Sequence, residues 1–179
     1  MIHETAIINQ PVTIGKNLDA MEYVVIGTDP VKYVYKNLRY KRELPAYGVT
    51  IGNNVTIHGG SQIIKGVEHD TMIGDDVVIG QRNIIGHDCI VGRGSHLYTS
   101  ITLTGHVEIG ARAVLGAGTV VKQRIKIGAG SIIGMGSIVV KDIPENTLAY
   151  NTCVDGNVYC RPIGKARGEL KNWIRTNVI

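Results

Sequence analysis

Residues 73–139 decide the fold of this chain, and they read IGDDVVIGQRNIIGHDCIVGRGSHLYTSITLTGHVEIGARAVLGAGTVVKQRIKIGAGSIIGMGSIV. From Ile73 to Val139 every sixth residue is aliphatic, and glycine follows that residue in most of the repeats. An amphipathic helix would repeat its apolar residues about every 3.6 positions and a half-buried strand about every two, so a period of six fits neither. A short strand followed by a turn does fit. The repeat therefore predicts a chain of strand-and-turn units.

These units predict a three-sided solenoid. Three of them make a coil of 18 residues, and successive coils stack at the ordinary distance between strands, about 4.8 Å. The aliphatic residue points into the prism, and the glycine after it lies at a corner where a side chain is sterically excluded. Earlier fragments around Ile14, Ile26 and Ile57 keep the same spacing. We therefore predict an all-β fold, a parallel β-helix of hexapeptide repeats over residues 1–148.

Two segments interrupt the repeat and are predicted to be external loops, because extra residues must leave a prism whose coils stay in register. The first, residues 28–47, is rich in lysine, arginine and tyrosine. It could contact the phosphate of a nucleotide sugar, although a solvated loop explains its composition as well. The second, residues 65–70, adds about four residues to one coil.

The repeat ends after Pro144, and residues 149–179 form a C-terminal extension. Leu170, Trp173 and Ile174 have helical spacing there. They predict a short C-terminal helix that caps the open end of the solenoid.

The composition excludes several classes of protein. The chain has 179 residues, of which 44% are hydrophobic and 19% charged, so it is long and apolar enough to form a core. A formal net charge of +4 is too small to predict a nucleic-acid partner. No apolar run approaches the roughly 18 residues of a membrane span, and the N-terminus does not resemble a signal peptide. The three cysteines fit no disulfide or zinc pattern, so we predict a cytoplasmic setting.

The 18-residue coil turns sequence distance into spatial position. Residues 18 apart lie on the same edge or face, so Gly105 is predicted to stack on His87, with His106 beside it. His96 is half a coil from His87 and is therefore predicted to lie on a different face of the same subunit. The two histidines could meet only across an interface, as in a trimer in which the edge of one subunit faces its neighbour.

The sequence Gly86-His87-Asp88-Cys89 carries the candidate catalytic residues. Imidazole titrates near neutral pH and can take a proton from a sugar hydroxyl or amine. Asp88 could fix the tautomer of His87, and the backbone N–H of Gly105 could support a developing oxyanion. The other interpretation is that His87 is only a polar turn residue.

The remaining candidates carry weaker signals. His106 and His58 could bind substrate, and each could equally be a turn residue; His96 gains interest only through the trimer argument. Lys122 and Lys141 could contact the phosphates of an acyl carrier, although both would also suit an ordinary surface.

The run from Ile84 to Asn146, which includes HDC and the glycine-rich repeats after it, resembles the catalytic half of hexapeptide-repeat acyltransferases. It is most similar to bacterial sugar acetyltransferases of the sialic-acid O-acetyltransferase and bacillosamine N-acetyltransferase group. That resemblance implies a left-handed β-helix, acetyl-CoA or another acyl-CoA as the donor, no metal, and a homotrimer.

The same resemblance implies roles for individual residues. The HDC motif implies His87 as general base, and the histidine nine residues later, His96, implies help in binding substrate or cofactor. Gly105 matches the glycine on the oxyanion side, and Ala117 and Met135 match the positions that hold the pantetheine arm. The usual N-terminal sugar-binding α/β subdomain of that group has no counterpart in this sequence.

The sequence is also similar to UDP-N-acetylglucosamine acyltransferase, through HDC, TLTGHVEIG at 102–110, VIGTDP at 25–30 and VTIHGG at 55–60. This second resemblance implies a substrate-site role for His106 and leaves acyl carrier protein open as the donor. In that enzyme a longer helical C-terminal region binds acyl carrier protein, and here only about 35 residues follow the repeat.

Together these observations predict a transferase that moves an acetyl or other short acyl group from acyl-CoA to a sugar or nucleotide sugar. A γ-type carbonic anhydrase shares the fold but needs two histidines five residues apart, a spacing that this sequence lacks. A scaffold without activity would make the HDC motif and its glycine partner a coincidence. The sugar, the choice between O- and N-acylation, and the acyl length stay open.

Overall fold

A computed structural model describes residues 1–30 and 47–150 in full, and beyond them the backbone of strand residues 33–36, 39–42, 151 and 158–162. The described chain is a stack of short strands separated by turns, with no helix among these residues. Each coil contributes one strand to each of three parallel sheets, as the six-residue repeat predicts.

The strands before and within the first interruption are β1 (Ile7–Ile8), β2 (Val12–Ile14), β3 (Asp19–Ala20), β4 (Val25–Thr28), β5 (Tyr33–Lys36) and β6 (Arg39–Arg42). The regular coils that follow contain β7 (Val49–Ile51), β8 (Thr56–Ile57), β9 (Gln62–Ile64), β10 (Thr71–Ile73), β11 (Val78–Ile79), β12 (Ile84–Ile85), β13 (Ile90–Val91), β14 (His96–Leu97), β15 (Thr102–Leu103), β16 (Glu108–Ile109), β17 (Val114–Leu115), β18 (Val120–Val121), β19 (Lys126–Ile127), β20 (Ile132–Ile133) and β21 (Ile138–Val139). The last two strands are β22 (Thr147–Asn151) and β23 (Val158–Pro162).

Three sheets form the sides of the prism. Sheet 1 contains β1, β4, β9, β12, β15, β18 and β21; sheet 2 contains β2, β7, β10, β13, β16 and β19; sheet 3 contains β3, β8, β11, β14, β17, β20, β22 and β23. In the regular coils the paired residues are 18 apart, as in the pairs of Leu103 with Ile85 and with Val121. The chain therefore returns to the same edge after each coil, as predicted.

Aliphatic side chains fill the interior of the prism. The twelve residues at the six-residue step, Ile73 through Val139, are each at most 2% exposed. A second inward position lies four residues further along each repeat and takes smaller side chains such as Val77, Cys89 and Ala113. Two inward residues per strand-and-turn unit explain why so short a repeat forms a continuous core.

Two positions of each corner have different steric requirements. A Cβ on the glycine after the aliphatic residue would collide with the backbone of the next coil, at 2.7 Å for Gly86, which confirms that a side chain is excluded there. The left-handed backbone conformation falls two residues later, where φ is 58° at Asp88 and 60° at His106. The glycine is thus needed for close approach, and the residue two positions after it makes the turn.

Both interruptions leave the prism at one edge. Residues 29–48 separate β4 of sheet 1 from β7 of sheet 2, and residues 65–70 separate β9 of sheet 1 from β10 of sheet 2. The first interruption contains a β-hairpin, because β5 and β6 pair antiparallel. We call the line of corners where the chain passes from sheet 1 to sheet 2 the 1–2 edge. The corners from sheet 3 to sheet 1 form the 3–1 edge.

The predicted boundary at residue 148 falls within β22, which continues sheet 3 beside β20, and β23 pairs antiparallel with β22. The predicted helix around Trp173 lies outside the described residues.

Candidate active site

The candidate site lies on the 1–2 edge, where both interruptions also leave the prism. His87 and Asp88 follow β12, and Gly105 and His106 follow β15 one coil later. The 18-residue spacing therefore brings these four residues to one edge, as predicted.

His87 and Asp88 form a hydrogen-bonded pair. Nδ1 of His87 lies 2.6 Å from Oδ2 of Asp88. The imidazole is 35% exposed, whereas the carboxylate is completely buried. The carboxylate accepts a hydrogen bond from Nδ1, so the proton of neutral imidazole resides there and Nε2 is left as the basic atom.

Three backbone amides hold the other oxygen of Asp88. The N–H groups of Val67, Glu68 and His69 all donate to Oδ1, at 2.9, 2.7 and 2.9 Å. All three belong to the second interruption, which lies directly below His87 on the 1–2 edge. The extra residues of this coil thus form an anion-binding nest for the buried carboxylate.

The nest keeps Asp88 ionised. Burial by itself raises the pKa of this carboxyl, but hydrogen bonds from the His69 amide, the His87 ring and the amides of Glu68 and Val67 outweigh it. The net result is a pKa lowered to about 2. Asp88 is therefore a fixed negative charge that can stabilise an imidazolium on His87.

His106 lies against the same pair. Its ring makes an edge-to-face contact with that of His87, with 5.1 Å between centroids, and its Nε2 lies 3.7 Å from Oδ2 of Asp88. Burial lowers the pKa of His106, and the attraction of Asp88 for the charged form only partly opposes it. The shorter contact to Asp88 is that of His87, at 2.6 Å against 3.7 Å for His106.

Gly105 stacks on the imidazole of His87, as the 18-residue coil predicts. A Cβ built on Gly105 would lie 2.5 Å from Cε1 and from Nε2 of His87. Among the described residues the Gly105 amide donates no hydrogen bond. The absence of a side chain at Gly105 therefore leaves room for the His87 ring, and its N–H has no acceptor among the described residues.

A pocket of about 220 Å³ opens beside these residues. It is lined by His69, Asp88, Ile90, His106, Glu108, Arg124 and Lys126. The sequence indicated His106 and Asp88 but missed the charged wall, in which Lys126 pairs with Glu108 at 2.9 Å. His69, which looks like a surface residue in the sequence, is exposed and lines this pocket.

His69, Asp88 and His106 are the described residues that could hold a metal ion, since one ligand atom from each lies within 4.8 Å of the others. However, Oδ1 of Asp88 already accepts three amides and Oδ2 accepts the His87 ring. Both oxygens of Asp88 are therefore already engaged in hydrogen bonds, with the loop amides and with His87.

Cys89 follows the pair but points into the core. It is completely buried, its Sγ lies 3.0 Å from the carbonyl oxygen of Thr104, and burial raises the pKa of its thiol to about 12. This environment suits a small apolar side chain and not a nucleophile.

The other predicted residues divide between two edges. Lys122 and Lys141 lie on the 1–2 edge with His87, and both are exposed. Ala117 and Met135 stack on the 3–1 edge, where the Gly136 amide donates to the Ala117 carbonyl at 2.8 Å. The predicted cofactor residues therefore do not converge within one subunit.

The predicted substrate residues His58 and His96 also lie away from His87. His96 belongs to β14 of sheet 3, and His58 begins a corner of the 3–1 edge. The His96 ring stacks on Tyr98 with 4.4 Å between centroids. Burial lowers the pKa of His96, and the nearby His58 lowers it further. Tyr98 was missed in the sequence analysis, although it lies only two residues after His96.

Among the described residues there is no helix long and apolar enough to cross a membrane.

No protein-family model matches the chain. It is 34% identical over 113 residues to an acyl-(acyl-carrier-protein)–UDP-N-acetylglucosamine O-acyltransferase of Campylobacter concisus, covering 62% of this chain and 41% of that protein. The enzyme of the same name from Nautilia profundicola is 35% identical over 140 residues, covering 76% and 51%. The chain thus spans about half the length of these curated relatives.

Two solved structures extend the comparison. UDP-N-acetylglucosamine acyltransferase from Campylobacter jejuni has a TM-score of 0.71 at 25% identity, over 98% of this chain and 82% of that one. A variant of perosamine N-acetyltransferase from Caulobacter crescentus, solved in complex with CoA and GDP-perosamine, has a TM-score of 0.53 at 25% identity, over 88% and 55%. The predicted fold is confirmed: the chain has the left-handed β-helix of hexapeptide-repeat acyltransferases. Both predicted resemblances have counterparts among these proteins.

Proposed function

We propose that this protein is an acyltransferase that moves an acyl group from an acyl thioester to a hydroxyl or amine of a nucleotide sugar in the cytoplasm. The observation that carries the proposal is the His87–Asp88 pair, hydrogen-bonded at 2.6 Å and stacked under Gly105 on an open edge. A general base, a fixed carboxylate and a free amide in this order are the groups that direct acyl transfer requires.

The reaction proceeds in one displacement through a tetrahedral intermediate. Nε2 of His87 removes the proton of the acceptor hydroxyl or amine, and the acceptor oxygen or nitrogen bonds to the thioester carbonyl carbon. The Gly105 N–H supports the negative oxygen, and the C–S bond then breaks. The leaving thiolate takes the proton back from the imidazolium, so the base is regenerated and no covalent enzyme intermediate forms.

Acyl-CoA is the donor that we favour, with a short acyl group such as acetyl. The structure solved with CoA and GDP-perosamine supports it, since that protein shares this fold and is named an N-acetyltransferase. In the proposal Ala117 and Met135 line the pantetheine arm, and Lys122 and Lys141 contact CoA phosphates. No resident metal takes part in the proposed chemistry.

Acyl carrier protein is the second candidate donor, and the curated relatives favour it through their names. The acceptor would then be UDP-N-acetylglucosamine or a close analogue. Both donors present the same pantetheine thioester, so the roles of His87 and Gly105 are identical in the two versions.

The proposed assembly is a homotrimer with each site between two subunits. His87, Gly105 and His106 occupy the 1–2 edge, while His58, His96, Ala117 and Met135 occupy sheet 3 and the 3–1 edge. A trimer that sets one edge against the neighbour's other edge would unite both groups. The outer face of sheet 1 also exposes four aliphatic side chains, Ile7, Ile84, Val120 and Ile138, each 38–56% exposed, which a second copy would cover.

Subunit mixing tests this assembly. His87→Ala and His96→Ala trimers are each expected to lose most activity, and trimers refolded from a mixture should regain part of it, because some interfaces then combine an intact His87 with an intact His96. Light scattering should give three chains per particle. A monomer, or no recovery on mixing, would contradict the shared site.

Mass detection of products tests the proposed reaction. Acetyl-CoA, longer acyl-CoAs and acyl-acyl-carrier-protein would each be incubated with a panel of nucleotide sugars, with His87→Ala as the matched control. We expect one donor and acceptor pair to give a product heavier by the acyl group, at a rate that depends on His87. Absence of transfer from both donor classes to every acceptor would refute the proposal.

A further inference from the structure

The loop from Lys65 to Asp70 does more than fill the gap between β9 and β10. Its three central amides converge on a single oxygen, Oδ1 of Asp88. A carboxylate held through one oxygen can present the other in a single direction, and here Oδ2 faces Nδ1 of His87. The orientation of the Asp88 carboxylate toward His87 therefore depends on the position of this loop.

Asp70 anchors the C-terminal end of the loop. Its Oδ1 accepts the N–H of Gly48 at 2.9 Å, and its Oδ2 accepts the hydroxyl of Thr50 at 2.8 Å. Both partners belong to the coil below, where the chain returns from the first interruption into β7. The Gly48 carbonyl in turn accepts the amides of Gly66 and Thr71, at 3.0 and 3.1 Å.

Lys65 anchors the other end. Its backbone N–H donates to the Thr28 carbonyl at 2.9 Å. Its side chain is only 8% exposed, and the ammonium group pairs with Oδ1 of Asp29 at 3.1 Å. The loop is thus fastened to the chain on both sides of the first interruption. Lys65 and Asp70 lie one coil below His87. Neither lines the pocket, although the Asp70 carbonyl accepts a hydrogen bond from Nδ1 of His69, which does.

We propose that Asp70 is a positioning residue: by fixing the Lys65–Asp70 loop, it holds the amide nest that aims Asp88 at His87. Without this anchor, the nest loosens, the two oxygens of Asp88 become interchangeable, and the side chain can turn away from the ring. The catalytic consequence rests on the proposed function, whereas the effect on the His87–Asp88 hydrogen bond does not.

The Nδ1 proton of His87 provides a direct readout by NMR. A proton in a short hydrogen bond to a buried carboxylate gives a resolved downfield resonance, and His87→Gln identifies it by removing it. We expect this resonance in the wild type, its loss or strong broadening in Asp70→Ala, which removes both anchor hydrogen bonds, and its retention in Asp75→Ala. Asp75 is a matched control because it also accepts a backbone amide from the coil below, from Asn53 at 2.7 Å, but at the corner between sheets 2 and 3.

The catalytic rate should change in the same variants as the resonance. We expect kcat to fall about tenfold in Asp70→Ala with KM changed less than threefold, well short of the roughly 10⁴-fold loss when an orienting carboxylate itself is removed. Thr50→Val removes one anchor bond with little risk to folding, and we expect it to weaken the resonance. An unchanged resonance in folded Asp70→Ala and Thr50→Val would overturn the proposal. A wild type that shows the resonance but transfers no acyl group would instead refute the proposed function and leave the positioning role standing.

Discussion

Replacing Gly105 by alanine should displace the imidazole of His87 without disturbing the fold. The added Cβ would lie 2.5 Å from Cε1 and Nε2 of the ring, whereas non-bonded heavy atoms settle at about 3.5–4.0 Å. The ring must therefore move by roughly 1 Å. A misplacement of this size in a catalytic group costs about 10²-fold in rate. The Gly105 backbone is not in the left-handed region, so alanine introduces no strain of its own.

The assay is steady-state acyl transfer together with thermal unfolding. We expect kcat/KM of Gly105→Ala to fall about 10²-fold while the free energy of unfolding changes by less than about 1 kcal/mol, because the partly exposed ring can rotate away. The double variant His87→Ala/Gly105→Ala is the control, since the collision disappears with the ring. It should be no slower than His87→Ala alone, which is the signature of two coupled positions.

Two results would refute this reasoning. Activity of Gly105→Ala within threefold of the wild type would show that the position of the ring does not limit the reaction. Additive losses in the double variant would show that Gly105 acts independently of His87.

Three further predictions concern the surroundings of this pair. The pKa of Asp88 is lowered to about 2, below its ordinary value of 3.8, so its ionisation stabilises the fold above about pH 4 and ceases to do so as the pH falls toward 2. Between about pH 5 and pH 2.5 the free energy of unfolding should therefore fall by about 2 kcal/mol more in the wild type than in Asp88→Asn. Equal losses in the two proteins would contradict the account. Cys89→Ala should retain more than a third of the activity under a standard assay, because this thiol is buried and protonated, and a loss above 10²-fold would restore it as a nucleophile. Lys141→Gln should raise KM for acyl-CoA about tenfold with kcat unchanged, as expected for a lost charge-assisted contact, and an unchanged KM would remove Lys141 from the donor site.

The core and the stacking on the 1–2 edge could be predicted because both follow from counting. Ile85 and Leu103 point inward at a fixed step, so the residues just after them, including His87 and Gly105, must return to one corner. Only small and aliphatic side chains fit the interior, and the period of six is therefore visible in the order of the residues.

The amide nest could not be predicted from residue types, because backbone N–H groups leave no trace in the sequence. The location of the nest, however, is visible in the sequence. The pairing of Ile63 with Ile85 adds four residues to the regular step of 18, and these residues lie just below His87. Counting back from His87 would have shown that the second interruption lies beneath it. The direction of the amides depends on anchors such as Asp70, whose partners are distant in sequence.

The turn conformation also escaped the pattern. The frequent glycine suggested where the corner lies, but the left-handed position is occupied by Asp88, His106 or Arg124 as well as glycine. Residues with side chains can make this turn because each corner needs only one left-handed residue. Asp88 thereby enters the edge with its carboxylate turned toward the nest.

The most direct test of the account is the single-turnover rate of His87→Ala with a saturating acyl donor and acceptor. Since His87 supplies the only base in the proposed displacement, we predict a fall of at least 10²-fold in the rate of acyl transfer, with the assembly and the unfolding midpoint unchanged. A rate within threefold of the wild type would contradict the assignment of His87 and, with it, the proposed chemistry.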